Sequence, residues 1–459
     1  MSNKTASLAY ALPAFGMAFI LTPALTVLSG IYVKDYGYAL ETVGLVVLLA
    51  RLFDAVTDPV IAVYSDREYA RDGARYRLII AGFILFAASA LLLYSALPKE
   101  HVAYFVVGYL LFYLGYTAFI IPYQAWGNEF TSDPADRLRA YSALSFFGQI
   151  GGIAFFALPM LPIWESGEFT SNVLLLALAI GTVWCGFSLW FVIKVIPRRS
   201  LPIGNAQWAQ DAKSPSQSSS SKSGIPLIIQ DLRANPPFWT FCIVMLCFAI
   251  AIGMWQGLFF IFVDIYMGMG SEYPPIAITG AVVGALSVPI WFLVARKIGS
   301  KKTWLISIGV SILTYPLLIF VDPADSQVGL LYAVSMLVNF SLSSLAVVAL
   351  PLIAGISDYG TLKSGSEQNG VYFGAQGFLT KAAFAIGGGA GLAIAGVFGF
   401  DTTAPTQTAD GLFAIRVGIV GAPIFFTILS GAIMMFFSLS EKRIKVIRSR
   451  LERVRSTSS

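Results

Sequence analysis

Arg51, Asp54 and Asp58 fall within eight residues of the stretch ARLFDAVTDPV (50–60), inside a run that is otherwise hydrocarbon. A charge at the centre of a bilayer costs about 2.5–3.5 kcal/mol on insertion scales. Chains keep such residues where they face protein or water, so a functional role is the default hypothesis. Two chemistries fit a pair of carboxylates. Carboxylate and hydroxyl oxygens are hard ligands suited to Na⁺. A desolvated carboxylate holds its proton more tightly, which suits H⁺. The structural alternative is a buried salt-bridge network that locks two helices together.

Helical geometry puts the three on one face. At 100° per residue, positions 51, 54 and 58 lie within about 60° of one another. Depth brings in two more groups. Asp54 stands roughly 21 Å along a helix that begins near residue 40. Thr117 and Lys381 reach similar depth, near mid-membrane, on other apolar runs. Two carboxylates, a hydroxyl, an ammonium and a guanidinium can therefore share one layer. Lys381 would compete with a cation for the carboxylates.

The elements that must position these groups follow from composition. The chain has 459 residues, of which 57% are hydrophobic and only 12% charged. Soluble domains carry about 25% charged residues, so this is an all-α membrane protein. The apolar runs are long and continuous, which excludes a β-barrel. Twelve spans are expected, at 8–33, 40–64, 77–97, 102–127, 140–161, 173–195, 237–265, 276–295, 303–321, 329–353, 369–399 and 413–438. With a cytoplasmic N-terminus, the cytoplasmic segments hold 25 basic residues and the outer loops only Lys34 and Lys99. That asymmetry places both termini in the cytoplasm. The first run, about 8–33, is too long for a signal-peptide core and reads as an uncleaved helix.

The chain divides at SLPIGNAQWAQDAKSPSQSSSSKSG (200–224), a Ser-rich stretch without period that reads as a flexible linker. The expected organisation is a six-helix half over 1–199, a linker with a short interfacial helix over 200–236, a second six-helix half over 237–438, and a basic tail over 439–459. The halves echo each other. YSDREYARDGARYR follows the second span and ARKIGSKKTW the eighth. Their Asp66, Arg67, Arg75, Arg77, Arg296 and Lys297 are candidate cytoplasmic gating residues. Duplicated six-helix halves are the plan of the major facilitator superfamily. Cys185, Cys242 and Cys247 all lie in apolar runs and read as packing residues, without metal-ligand spacing. His101 falls in a short loop. The net charge of +5 is a topology signal and does not imply nucleic acid.

RLFDAVTDP (51–59) resembles the second-span signature of the glycoside–pentoside–hexuronide:cation symporter family, the melibiose-permease-like transporters. YTAFIIPYQAWGNEFTSDPADRLRAYSALSFFGQIGG (116–152), NPPFW (235–239), ISDYG (356–360) and YFGAQGFLTK (372–381) extend the resemblance over nearly the whole chain. It implies a cation held by Asp54, Asp58, Thr57 and Thr117, with Lys381 as the coupling lysine and Arg51 beside them. Thr57 departs from the family pattern, which has asparagine there. The sugar-binding acids of the family are absent, since their positions hold Ala18 and Ile120. Gln124, Ser145 and Ala346 stand where the family has a tryptophan, an arginine and another tryptophan, and only Gln376 carries over. Polar candidates for a solute pocket are Tyr123, Gln124, Gln149, Gln256, Asn339, Tyr372 and Gln376, with Trp255 as a stacking surface. For each, hydrogen bonding between helices is an equal alternative.

The reading is a secondary symporter of the plasma (inner) membrane that couples Na⁺ or H⁺ to a glycoside, oligosaccharide or uronate by alternating access. It needs no cofactor, and its partners are solute, cation and lipid, with a monomer as the working unit. The alternative is an amphipathic or lipid-like solute in the same fold. No Ser–His pair, metal cluster or phosphate loop sits in a span, so an enzyme is not expected. The run AAFAIGGGAGLAIAG (382–396) permits close packing or, alternatively, a gating hinge at Gly388.

Overall fold

The computed structural model describes residues 3–72, 75–95, 102–129, 134–195, 232–321, 327–364, 369–400, 408–439, 443–447 and 449–451. The linker at 200–224 and His101 lie outside them. Among the described residues the chain is helical and has no strand. Eleven helical segments there are long and apolar enough to cross a membrane. The one further span is Leu40–Asp72, whose Arg51, Asp54 and Asp58 dilute its apolar character. The charges that suggest a site thus also disguise the helix that carries them.

The described residues group into two compact units. The first holds 3–195 together with Val263–Pro275. Its helices are α1 (Asn3–Ala11), α2 (Pro13–Thr26), α3 (Leu28–Tyr36), α4 (Leu40–Asp72), α5 (Tyr76–Tyr94), α6 (Val102–Glu129), α7 (Pro134–Ala157) and α8 (Ser171–Val195). The first expected span is therefore three helical pieces. Pro13 opens the second of them, where its missing N–H is harmless.

Small residues set the position of α6. A Cβ on Gly82 of α5 would lie 2.5 Å from the α6 backbone at Ala118 and Phe119, and one on Gly115 of α6 would lie 2.5 Å from the Phe86 nitrogen. Only glycine allows this backbone approach. The two contacts bracket Thr117 and fix its height and rotation.

The second unit holds 232–262, 276–400 and 408–451 within the described residues. Its helices are α9 (Pro236–Ile261), α10 (Tyr273–Ile298, of which this unit holds the part from Ile276), α11 (Ser300–Thr314), α12 (Val328–Ser343), α13 (Leu345–Ser364), α14 (Asn369–Val397), α15 (Ala409–Arg416) and α16 (Ala422–Met435). α9 is its most buried helix, packed along α14 and α16. A side chain on Gly387 of α14 would collide with the Ile250 carbonyl of α9. α14 runs unbroken through the glycine-rich stretch, so these residues serve close packing here. Hydroxyls tie α11 to the junction of α12 and α13. Ser307 donates to the Ser341 carbonyl at 2.8 Å, and Ser344 donates to the Ser307 hydroxyl at 2.6 Å. In apolar surroundings such bonds are the available directional contact between helices.

Candidate functional site

α4 delivers Asp54 and Asp58 to the face that meets α6. Asp54 and Thr117 are buried, and Asp58 is half-buried. The Thr117 hydroxyl donates to Asp54 Oδ1 and lies 3.3 Å from Asp58 Oδ1. A hydroxyl has one proton to give, so it satisfies one acid at a time and offers lone pairs to a cation. Two carboxylates focused on one neutral oxygen repel each other in a low dielectric. Such a pair is relieved by a proton or a cation.

Arg51 stands one turn before Asp54, and its Nε is buried without a hydrogen-bond partner. Thr57 does not join the carboxylates. Its hydroxyl donates to the Asp54 main-chain carbonyl at 3.0 Å, the local back-bonding that threonine adopts inside helices. Lys381 lies half-buried on α14 of the second unit.

The solute candidates divide into three groups. Three aromatics are part of the core. Tyr123 stacks on Tyr10 with centroids 4.7 Å apart, and each hydroxyl donates to the other's carbonyl. Tyr372 accepts from Asn235 Nδ2 at 2.9 Å and packs edge-on against Phe238. Trp255 is buried and stacked on Phe259 at 4.1 Å. Asn339 donates to the Ser335 carbonyl at 2.9 Å, opposite Gly280, and Gln376 points along its own helix to Thr380 at 3.4 Å. Gln124, Gln149 and Gln256 are exposed. An exposed amide in a membrane span faces lipid at a cost or a water-filled path without one.

Of the gating candidates, Asp66 and Arg75 meet. The buried Arg75 guanidinium donates to Ser65 at 2.6 Å, pairs with Asp66 at 2.7 Å and covers the Tyr69 ring. Arg67 and Arg77 line a cavity of about 300 Å³ beside Glu68 and Arg71. Arg296 and Lys297 are exposed at the end of α10.

A second charged cluster was not anticipated. Lys34, at the end of α3, pairs with both Glu168 and Asp264 at 3.0 Å. Burial works against the Lys34 charge, but Asp264 and Glu168 outweigh it and raise its pKa. Asp264 is 6% exposed. Its partner stands 230 residues away in the chain, beyond the reach of any local pattern.

Residues 9–441 match the MFS/sugar transport protein family. The chain belongs to it. The glycoside–pentoside–hexuronide:cation symporter resemblance read from the motifs is borne out, as is the major facilitator superfamily fold. Among curated relatives, YagG of Escherichia coli (strain K12), a candidate glycoside/cation symporter, is 23% identical, covering 96% of this chain and 93% of that one. The glucuronide carrier protein homolog of the same organism is 24% identical, over 91% and 88%. The nucleoside transporter NupG shares the fold, with a TM-score of 0.65 at 14% identity over 96% of this chain and 100% of that one. This family member is a multi-pass membrane transporter of the symporter type, and its relatives are transporters rather than enzymes.

Proposed function

We propose that the protein imports a sugar-like solute, a glycoside, oligosaccharide or uronate, across the inner membrane, coupled to the inward flow of Na⁺ or H⁺. The observation that carries this reading is the focus of Asp54 and Asp58 on the Thr117 hydroxyl. When the ion binds, Thr117 turns a lone pair inward and the two acids cease to repel. Ion and solute are coupled if each raises the affinity for the other. Lys381 keeps the coupling role that the family resemblance implies. The glycoside and glucuronide named for the relatives favour a carbohydrate solute, and the exposed Gln124 and Gln149 are its proposed contacts in the first unit. Residues 1–199 and 237–438 act as the two functional halves of a monomer, with both termini cytoplasmic.

The test is uptake into proteoliposomes from a panel of glycosides, oligosaccharides and uronates, with a Na⁺ gradient, a pH gradient or neither. The expected result is accumulation of one solute class under one of the gradients, abolished by Asp58→Asn. Undiminished accumulation by Asp58→Asn overturns the ion-site assignment, and accumulation without either gradient overturns cation coupling.

A further inference from the structure

The second unit carries a groove whose lining includes none of the residues proposed for cation or solute binding. It opens where α9 begins, where α13 ends and where the chain leaves α16, at one end of the unit. Its volume is about 470 Å³, within the range of small-molecule sites. Pro236, Pro237, Leu362, Leu439, Val446 and Ile447 give it apolar walls. Arg443 and Arg450 also line it, and none of the described lining residues is acidic.

The tail builds the cationic side. Residues 443–447 and 449–451 are helical. Ile444 and Ile447 are buried, and with Leu451 they dock on the core around α9 and α13. Gly355 of α13 makes room, since a side chain there would run into Ile444. The spacing of seven residues puts Arg443 and Arg450 on the same face, roughly 10 Å apart along the axis. Arg443 is anchored through Nη1 to the Ser438 carbonyl at 3.0 Å. Beside the groove, Trp239 is 47% exposed and its indole donates to the Leu232 carbonyl at 3.0 Å. A half-exposed tryptophan at the start of a membrane helix marks the level of the lipid headgroups. Lys363 adds a further cation at the end of α13.

We infer that this groove binds an anionic phospholipid, with its phosphate between Arg443 and Arg450 and an acyl chain along the apolar wall. Charge selects the lipid: two arginines, with no acid among the described lining residues, favour a phosphodiester with net negative charge over a zwitterion. The apolar wall selects a lipid over a free anion. Lipid bound there clamps the tail helix onto α9 and α13.

The experiment measures Tm of the purified full-length protein in detergent with added phosphatidylglycerol, phosphatidylcholine or inorganic phosphate. Phosphatidylglycerol is expected to raise Tm by several degrees, as a ligand of the folded state must, and the other two are not. Arg443→Gln/Arg450→Gln should lose most of that rise, and Val446→Trp, which fills the groove and keeps both charges, should lose it too. Arg443→Lys/Arg450→Lys should retain a measurable part. An equal rise with phosphatidylcholine overturns the proposal in favour of general lipid solvation. A rise with phosphate alone overturns it in favour of a free-anion site. A full phosphatidylglycerol response in either the Gln pair or Val446→Trp overturns the groove as its location. If the Gln pair does not fold, Val446→Trp and counts of co-purified phosphatidylglycerol by native mass spectrometry decide the question in the same directions.

Discussion

Two pairs of acids in the first unit solve the same electrostatic problem differently. Asp264 and Glu168 converge on the Lys34 ammonium, at 3.0 Å each. Asp54 and Asp58 converge on the Thr117 hydroxyl, a group without charge. In the Lys34 cluster the chain itself supplies a cation, and removing it strands a buried carboxylate. In the Thr117 cluster the focal group is one that can ligate an ion from outside. The comparison teaches that buried acids alone do not mark a coupling site. What they converge upon separates a structural pair from a proposed binding pair.

The same substitution should therefore have opposite consequences in the two places. Asp58→Asn should abolish gradient-driven uptake with a smaller change in Tm than Asp264→Asn, because Asp58 is half-buried and Asp264 is buried. Asp264→Asn should lower Tm and keep uptake cation-dependent. Parallel thermal melts and proteoliposome assays check both, and the comparison breaks if Asp264→Asn alone uncouples transport. Next in size, Lys34→Met should destabilise the protein by about 1–2 kcal/mol. The figure stands below the buried-pair range because Lys34 is partly exposed. The Lys34 contribution is fully present below the ordinary lysine range, since the folded-state pKa is raised. It should be lost only as pH climbs through that raised value, which denaturation curves over alkaline pH would follow.

Much of the fold was legible, and for identifiable reasons. Apolar run length depends on composition, and the face shared by Arg51, Asp54 and Asp58 depends only on helix geometry. Thr117 was legible through depth and family resemblance. The solute candidates were harder. Whether Tyr123 or Tyr372 points at a ligand or at a neighbour depends on Tyr10 and Asn235, which lie 113 and 137 residues away. Periodicity carries no information on such partners. The Thr57 hydroxyl, expected to help hold the cation, donates to the Asp54 main-chain carbonyl, because a helical threonine has a carbonyl of its own helix within reach.

Smaller effects sharpen the account. Thr117→Val should weaken cation affinity by about 0.5–1.5 kcal/mol, the worth of one neutral hydrogen-bonding group, while Thr117→Ser keeps it. Isothermal titration with the coupling ion distinguishes them. Within α14, Gly387→Ala should lower Tm, because its new methyl meets the Ile250 carbonyl. A Cβ on Gly388 has its nearest neighbour at 3.5 Å, an ordinary contact. Gly388→Ala should therefore keep Tm, and slower transport by that variant in uptake assays would restore the hinge that the unbroken helix argues against.

The most direct test of the central claim is cation binding itself. Purified wild-type protein and the Asp54→Asn, Asp58→Asn and Asp264→Asn variants would be titrated with Na⁺ and, separately, monitored for proton uptake. The account predicts one saturable monovalent-cation site in the wild type, retained by Asp264→Asn and lost by both Asp54→Asn and Asp58→Asn. Unaltered binding in either of those two variants would contradict it.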